Sequence, residues 1–332
     1  MWWIESNAKT SESRGRRLLR GRPTNALRAT GEAAMRNGAL RRAALRWAAA
    51  RGRALALVYH RIRSEGPAPH EIVRAMPSSL VRQQIAALGE LGDIVTLADL
   101  ARDAERPGTR VRFALSFDDD DVGHTRVALP LLRSLQVSAT FFLSGRVLHG
   151  LGPYWWVTLE HLIAERGLTE VCQTLGVAAS SPVELAARCE GTSLVNRIVG
   201  MAQSQDVQPA AAEIRALIDG GMSIGFHTVR HLVLPTLSPE ALGDELVRGR
   251  VELATAAGRP VALLAYPHGR AATREARAAR EAGYHAAFTG GGHPITVQTD
   301  RFLLDRWEPG ALGIDDFVAA VALRLNRPAG AR

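Results

Sequence analysis

Val111-Arg112-Phe113-Ala114-Leu115-Ser116-Phe117-Asp118-Asp119-Asp120-Asp121 carries an apolar run straight into four consecutive carboxylates. A short, nearly continuous apolar stretch is what a strand buried on both faces requires. We therefore expect a strand over Val111 to Phe117, with Asp118 and Asp119 at its carboxyl end. In parallel α/β sheets and barrels, functional groups collect at that end.

On both sides of this stretch, short β-like runs alternate with amphipathic helices, the pattern of a parallel α/β domain. Upstream, Ala54-Leu55-Ala56-Leu57-Val58-Tyr59 reads as a buried strand ending at His60. Ser78 to Leu91 reads as a helix with Ser78 or Ser79 as its N-cap, and Ile94 to Leu97 as a short strand. Downstream, a helix is expected over Val127 to Leu135 and a strand over Ala139 to Leu143. Further strands are expected at Met222 to Phe226, Val261 to Tyr266, His285 to Thr289 and Phe302 to Arg306. Helices over 239–257, 271–282 and 313–325 separate or follow them. From about Leu148 to Val207 the alternation breaks, and the helix-like segments there read as an insertion. It opens on Pro153-Tyr154-Trp155-Trp156. Trp155 and Trp156 suit either the lining of a sugar groove or an anchor for the insertion through buried area.

His227 and His231 stand four apart in Gly225-Phe226-His227-Thr228-Val229-Arg230-His231. Residues at that spacing share one face of a helical turn, so both rings are expected to point the same way. One carboxylate with two imidazoles is a three-ligand set for a divalent metal, most naturally Zn2+, with a position left for water. A second carboxylate beside the first can act as base on that water. Each group also has a plainer use. Asp119 suits the N-cap of the next helix, His231 a bond to loop backbone, and His60 a satisfied core position. The pattern gains weight because His60, Asp118, Asp119, His227 and Pro267 are all expected at or just past strand ends. Asp120 and Asp121 are expected as solvated loop carboxylates or helix caps.

The chain of 332 residues has 46% apolar content, enough for one large domain or two ordinary ones. Its net charge of +8 is unevenly spread: residues 1–53 hold twelve Arg and one Lys against three Glu, about +10, so the remainder carries about −2. The basic balance belongs to this leader, and the folded part gives no charge argument for nucleic-acid binding. Lys9 is the only lysine, so the arginines reflect coding bias more than phosphate recognition. Cys172 and Cys189 are too few for a disulfide framework and read as reduced thiols. Met1-Trp2-Trp3-Ile4 runs at once into polar residues, so no signal peptide is expected, and no run reaches the ~20 apolar residues that span a bilayer. We therefore expect a cytoplasmic protein, with peripheral contact to the inner membrane face open to the helix expected over residues 33–50. The domain division is thus a basic, partly disordered leader over 1–53 and an enzyme domain over 54–326, with an insertion at about 148–207.

From about Leu55 to Arg306 the sequence resembles the metal-dependent polysaccharide deacetylases of carbohydrate esterase family four. The resemblance is carried by Val58-Tyr59-His60-Arg61, Leu115-Ser116-Phe117-Asp118-Asp119, Ala139-Thr140-Phe141-Phe142 and the segment Ile224 to His231. Ala265-Tyr266-Pro267-His268-Gly269, Gly283-Tyr284 and Phe288-Thr289 complete it. The order is that of the branch with its Tyr-His motif at the N-terminal end, and the Tyr-Trp-Trp insertion resembles one in members associated with surface-glycan synthesis. The resemblance implies a distorted (β/α) barrel, seven-stranded, that hydrolyses the N-acetyl group of an amino sugar in a cell-envelope glycan. It implies Asp119, His227 and His231 as metal ligands and Asp118 as general base. The Tyr266 N–H would stabilise the oxyanion, His60 would protonate the departing amine, and Pro267, His268, Trp155 and Trp156 would contact substrate.

Several positions depart from the family pattern. Asp120 replaces the usual Gly after the Asp pair, a position where Asp tolerates positive φ and where its charge would raise the base's pKa. His268 replaces a common Tyr. Ala265 stands where some branches carry an Arg that orients the base, a role Arg306 is expected to take from the last strand. Two further readings remain open: hydrolysis of a small non-glycan amide, and a glycan-binding relative without turnover.

Overall fold

The computed structural model describes residues 33–103, 107–201 and 211–328. Its strands, in chain order, are β1 (Ala54–Tyr59), β2 (Ile62–Arg63), β3 (Met76–Pro77), β4 (Gly92–Ile94), β5 (Val111–Asp118), β6 (Thr140–Leu143), β7 (Ser223–Phe226), β8 (Leu263–Ala265), β9 (Ala286–Gly290) and β10 (Leu304–Trp307). Seven of them, β1 and β5 to β10, close a parallel barrel in the ring order β1-β10-β9-β8-β7-β6-β5. The ring shuts where β1 pairs β5 over Ala54↔Arg112 to Tyr59↔Phe117. On its other edge β1 meets β10 at Ala56↔Arg306 and Leu57↔Trp307. β4 runs parallel to the beginning of β5, and β2 pairs β3 in a small separate sheet. The expected seven-stranded distorted (β/α) barrel is the observed fold.

The period of two along each strand divides the core into two layers. Ala54, Ala56, Ala114, Phe142, Leu263, Ala265, Ala286, Phe288 and Leu304 cluster inside the barrel. The many alanines leave room there for Phe142 and Phe288, whose full burial contributes ~1.5–3 kcal/mol each. Leu97, Leu100, Ala101 and Ile295 join this inner cluster, and Ile295 bridges Ala54, so they plug the end where the strands begin. The outer layer packs Leu55, Leu57, Tyr59, Phe113, Leu115 and Phe117 against surrounding helices.

Element boundaries depart from expectation in informative ways. Leu97 does not end a strand. It opens the helix Leu97–Arg102, whose N-cap Thr96 accepts from Asp99 N–H, a capping signal readable in Thr96-Leu97-Ala98-Asp99. The long helix expected over 239–257 is two, Pro239–Val247 and Arg250–Ala257, with Gly249 between them at φ 83. A Cβ at Gly249 would collide with Val229 and His149, so only glycine permits this break. The helix after β5 starts with a π-turn, His124–Ala128, before Leu129–Ser134. The last strand is Leu304–Trp307, shifted from the expected Phe302 to Arg306.

The insertion forms helices Trp155–Arg166, Leu168–Leu175, Pro182–Cys189 and Leu194–Gly200. It has its own apolar cluster, including Tyr154, Trp156, Leu159, Val171, Leu185 and Cys189, which Ile72 enters from the loop after β2. Both cysteines are free thiols. Of the expected leader, the helix Gly38–Ala50 packs Leu45, Ala48 and Ala49 into the outer core. Residues 1–32, and 202–210 at the end of the insertion, lie outside the described residues. Among the described residues, no helix is long and apolar enough to cross a membrane.

Candidate active site

Asp118 closes β5, and Asp119 follows it in the left-handed region at φ 69. Thr228, His231 and His268 share that unfavourable backbone, at φ 58, 53 and 58. These four make up most of the described non-glycine residues with positive φ, and all lie on loops beyond strand ends at one mouth of the barrel. Strain of this kind persists only where surrounding structure enforces it, and it concentrates at functional sites. Positive φ falls on Asp119 and not on Asp120.

Asp119, His227 and His231 converge as expected: one ligand atom from each lies within 4.8 Å of the others. Asp119 Oδ1 is 3.6 Å from His227 Nε2 and 3.6 Å from His231 Nε2. It is buried with no hydrogen-bond partner. Two donors ~2.0–2.2 Å from a shared tetrahedral ion stand ~3.4 Å apart, so this spacing fits a divalent metal better than direct bonds. His227 Nδ1 lies 2.9 Å from the Ala265 carbonyl. A carbonyl only accepts, so Nδ1 carries the proton and Nε2 is the bare ligand atom. Burial, with the His268 and His227 rings nearby, holds His231 well below its ordinary pKa and hence in the neutral ligating form. The two rings do not sit on one helical turn. Residues 227–233 are non-helical, and the left-handed Thr228 and His231 aim both rings at Asp119.

Arg306 grips Asp118 with both arms of its guanidinium: Nη1 donates to Oδ1 at 2.5 Å and Nη2 to Oδ2 at 2.6 Å. Nη1 also donates to Ser116 Oγ at 3.0 Å, and the guanidinium lies over the Phe142 ring at 5.0 Å. Burial alone would raise the Asp118 carboxyl, but Arg306, His227 and His60 hold it below the usual carboxylate range. The upward push expected from Asp120 is overridden.

His60 Nδ1 lies 3.1 Å from Glu308 Oε1, and the His60 carbonyl accepts from His124 Nε2 at 3.0 Å. Burial works against the imidazolium, yet Glu308, with Asp119 and Asp118, raises His60 to about 9. Glu308 went unrecognised in the sequence; its only signal is a carboxylate just past the last strand, two residues after Arg306.

Asp120 and Asp121 are not solvated. Asp120 is buried and accepts from the Ser144 N–H at 2.9 Å and from the Ser144 hydroxyl. Burial pushes its carboxyl above the ordinary range. Asp121 accepts from Arg61 Nε at 3.0 Å, from Arg63 at 2.5 and 2.9 Å, and from the Gly123 N–H at 2.7 Å. Arg61 continues to Glu160 of the insertion at 2.9 and 2.8 Å, so a buried ion network fastens the insertion to the barrel.

Tyr266 does not offer the oxyanion donor expected of it. Its N–H donates to the Phe288 carbonyl at 3.0 Å, and its hydroxyl donates to the Phe302 carbonyl at 3.0 Å. Pro267 is buried beside it, and the His268 ring lies 4.6 Å from His231. Burial lowers His268 to about 4. Trp156 stacks on Tyr154 at 4.4 Å, and both rings stand edge-on to His231 at 5.2 and 5.4 Å. Trp156 thus anchors the insertion and also walls a cavity of ≈ 180 Å³ that includes His60 and Asp119. Trp155 packs edge-on against Trp156 at 5.9 Å, outside the cavity wall.

A closed parallel barrel with a carboxylate–imidazole cluster, a clamped carboxylate and a carboxylate-paired imidazole at one mouth has the layout of a barrel hydrolase. The family profile described as polysaccharide deacetylase matches residues 105–287, and the chain belongs to that family. Among solved structures, a deacetylase, PplD, from Streptococcus pyogenes superimposes with TM-score 0.56 at 18% identity, over 83% of this chain and 99% of that one. IcaB from Ammonifex degensii gives 0.54 at 19% identity, over 81% and 97%. A de-N-acetylase from Aggregatibacter actinomycetemcomitans gives 0.56 at 14%, over 80% and 99%. At these identities the likeness concerns the fold. No curated protein matches the sequence.

Proposed function

We propose that the protein removes N-acetyl groups from amino sugars of a polysaccharide, an oligosaccharide or a lipid-linked glycan precursor, with Zn2+ held by Asp119, His227 and His231. The observation that carries this is the partnerless Asp119 Oδ1, equidistant from the bare His227 Nε2 and from His231 Nε2. When bound, the ion would supply Lewis-acid polarisation of the amide carbonyl and acidify a water toward neutrality. Asp118, kept ionised by Arg306, takes the proton of the attacking water. His60, kept protonated by Glu308, donates a proton to the amine nitrogen as the C–N bond breaks. On the 266–270 loop, Pro267 has no N–H, and those of Tyr266, Gly269 and Arg270 already donate to carbonyls. The His268 N–H is therefore the loop amide we assign to the developing oxyanion.

The membrane contact we propose involves the helix Gly38–Ala50. Leu40 and Trp47 are exposed seven residues apart on it, flanked by the exposed Arg42 and Arg46, a face suited to an anionic lipid surface. Co-sedimentation with phosphatidylserine vesicles, weakened in L40S/W47S, checks this.

Zinc per chain in wild type and His227→Ala, after dialysis against metal-free buffer, tests the site itself. About one ion in wild type and none in the variant is expected. Folded, zinc-supplemented wild type that retains no metal would remove the hydrolase reading. Chelator-sensitive acetate release separates an enzyme from an inactive glycan-binding relative, and chitooligosaccharides against small amides separates the two enzyme readings.

A further inference from the structure

The cavity that begins at His60 and Asp119 runs beneath the insertion to a far end lined by His70, Val73, Val157 and His161. At the ~30 Å³ that each water takes up in the liquid, its ≈ 180 Å³ holds about six waters, more room than an acetyl group alone needs. Trp156, Val157, Glu160 and His161 project from one face of the helix Trp155–Arg166, since residues three and four apart lie together. Glu160 is fully occupied. It accepts from Arg61 and from the Ile72 and Val73 N–H groups at 2.6 and 3.0 Å. Those bonds pin the segment carrying His70 and Val73 opposite the helix carrying His161.

The frame is thus rigid, yet the two rings it positions are unused. Among the described residues, neither the His70 ring nor the His161 ring makes a hydrogen bond, although both are partly buried and face the cavity. Burial pushes His161 below its ordinary range, so its ring is neutral at physiological pH. A neutral imidazole presents one donor and one acceptor, the complement of a hydroxyl group. Arg61 and Arg63 in the same wall are already paired with Glu71, Asp121 and Glu160, so neither is free to hold a phosphate or carboxylate.

We propose that His70 and His161 form a sugar-binding subsite. In it they hydrogen-bond hydroxyl groups of an uncharged amino sugar whose acetyl group lies at the Asp119 end, while Val73, Val157 and Trp156 cover its apolar face. This depends on the deacetylase reading and deepens it: discrimination among sugars lies with the insertion and the loop after β2, not with the barrel.

The test uses the zinc-loaded full chain and compares wild type with His70→Ala and His161→Ala on two substrates. One is an N-acetylated chitooligosaccharide; the other is 4-nitrophenyl acetate, which has no sugar to fill the far end. Each variant should raise KM for the oligosaccharide about tenfold, leaving its kcat, ester hydrolysis and zinc content unchanged. Oligosaccharide deacetylation with unchanged KM in both variants would overturn the subsite and leave the deacetylase reading standing. Equal losses on both substrates would also overturn it, by assigning the rings to the metal end or to folding. Wild type that cleaves the ester but neither binds nor deacetylates any N-acetylated sugar would overturn the deacetylase reading, and the subsite with it.

Discussion

Arg306 reaches Asp118 across β1, whose neighbouring inward residue is the small Ala56, in register with both Arg306 and Ala114. A buried, doubly bonded ion pair is costly to break from one side, because the remaining charge stays buried and uncompensated. Arg306→Ala should therefore destabilise the fold by ~3–5 kcal/mol in urea unfolding. It should also lower kcat well over tenfold while zinc content stays near wild type. Unchanged turnover would remove Arg306 from the mechanism. Asp118→Asn should lower kcat by ~10²–10⁴-fold, again without loss of metal. Glu308 gives a pH prediction. It favours the His60 imidazolium, so replacing it lowers that pKa, and Glu308→Gln should move the alkaline limb of the kcat/KM profile to lower pH. A profile superimposable on wild type would show that Glu308 does not tune the acid. Asp118, Asp119, His227 and His231 were legible as residues because their chemistry is unusual and their neighbours are apolar. Arg306 was legible only through the Ala265 departure. Glu308 was not, and neither was the loss of the Tyr266 amide to the Phe288 carbonyl, since sequence does not reveal which N–H groups a sheet consumes.

At the scale of elements, the pair at 227 and 231 shows how a correct grouping can follow from the wrong geometry. Spacing of four suggested a helical turn, but two left-handed residues in a loop achieve the same convergence. The 239–257 segment failed for a related reason: its apolar periodicity runs through Gly249, and only the collision that a side chain would have with Val229 and His149 reveals the break. Gly249→Ala should accordingly lower the urea midpoint, through both positive φ and that collision. The insertion was legible as an interruption, but its attachment was not. Arg61 and Glu160 are 99 residues apart, and nothing local marks them as partners. Glu160→Ala leaves Arg61 without its main partner and frees the 72–73 amides. It should hasten limited proteolysis within residues 167–193 and lower stability by ~3–5 kcal/mol. Unaltered cleavage would mean that apolar packing alone holds the insertion.

The whole barrel was the most legible level, because the alternation of apolar runs with amphipathic helices repeats around the ring and tolerates errors of a few residues at each boundary. A metal bound only by the folded chain adds RT ln(1 + [L]/Kd) to its stability, ~2.7 kcal/mol at a hundredfold excess over Kd. Chelation should therefore lower the melting temperature of wild type and leave that of His227→Ala unmoved, as read by calorimetry. The closing of the ring has one more consequence. Arg53, at the foot of β1, donates to the Leu325 and Arg327 carbonyls, so the first barrel strand starts where the last helix ends. The exposed Ser64, Glu65 and Gly66 offer a place to open the chain. A circular permutant that begins at Gly66, joins Pro328 through a flexible linker to Gly38 and ends at Glu65 keeps the core-packed helix Gly38–Ala50 and would return His60 to the same place beside Glu308. Its folding with zinc bound would show that the closed ring, and not the order of the motifs along the polypeptide, is what brings these side chains together.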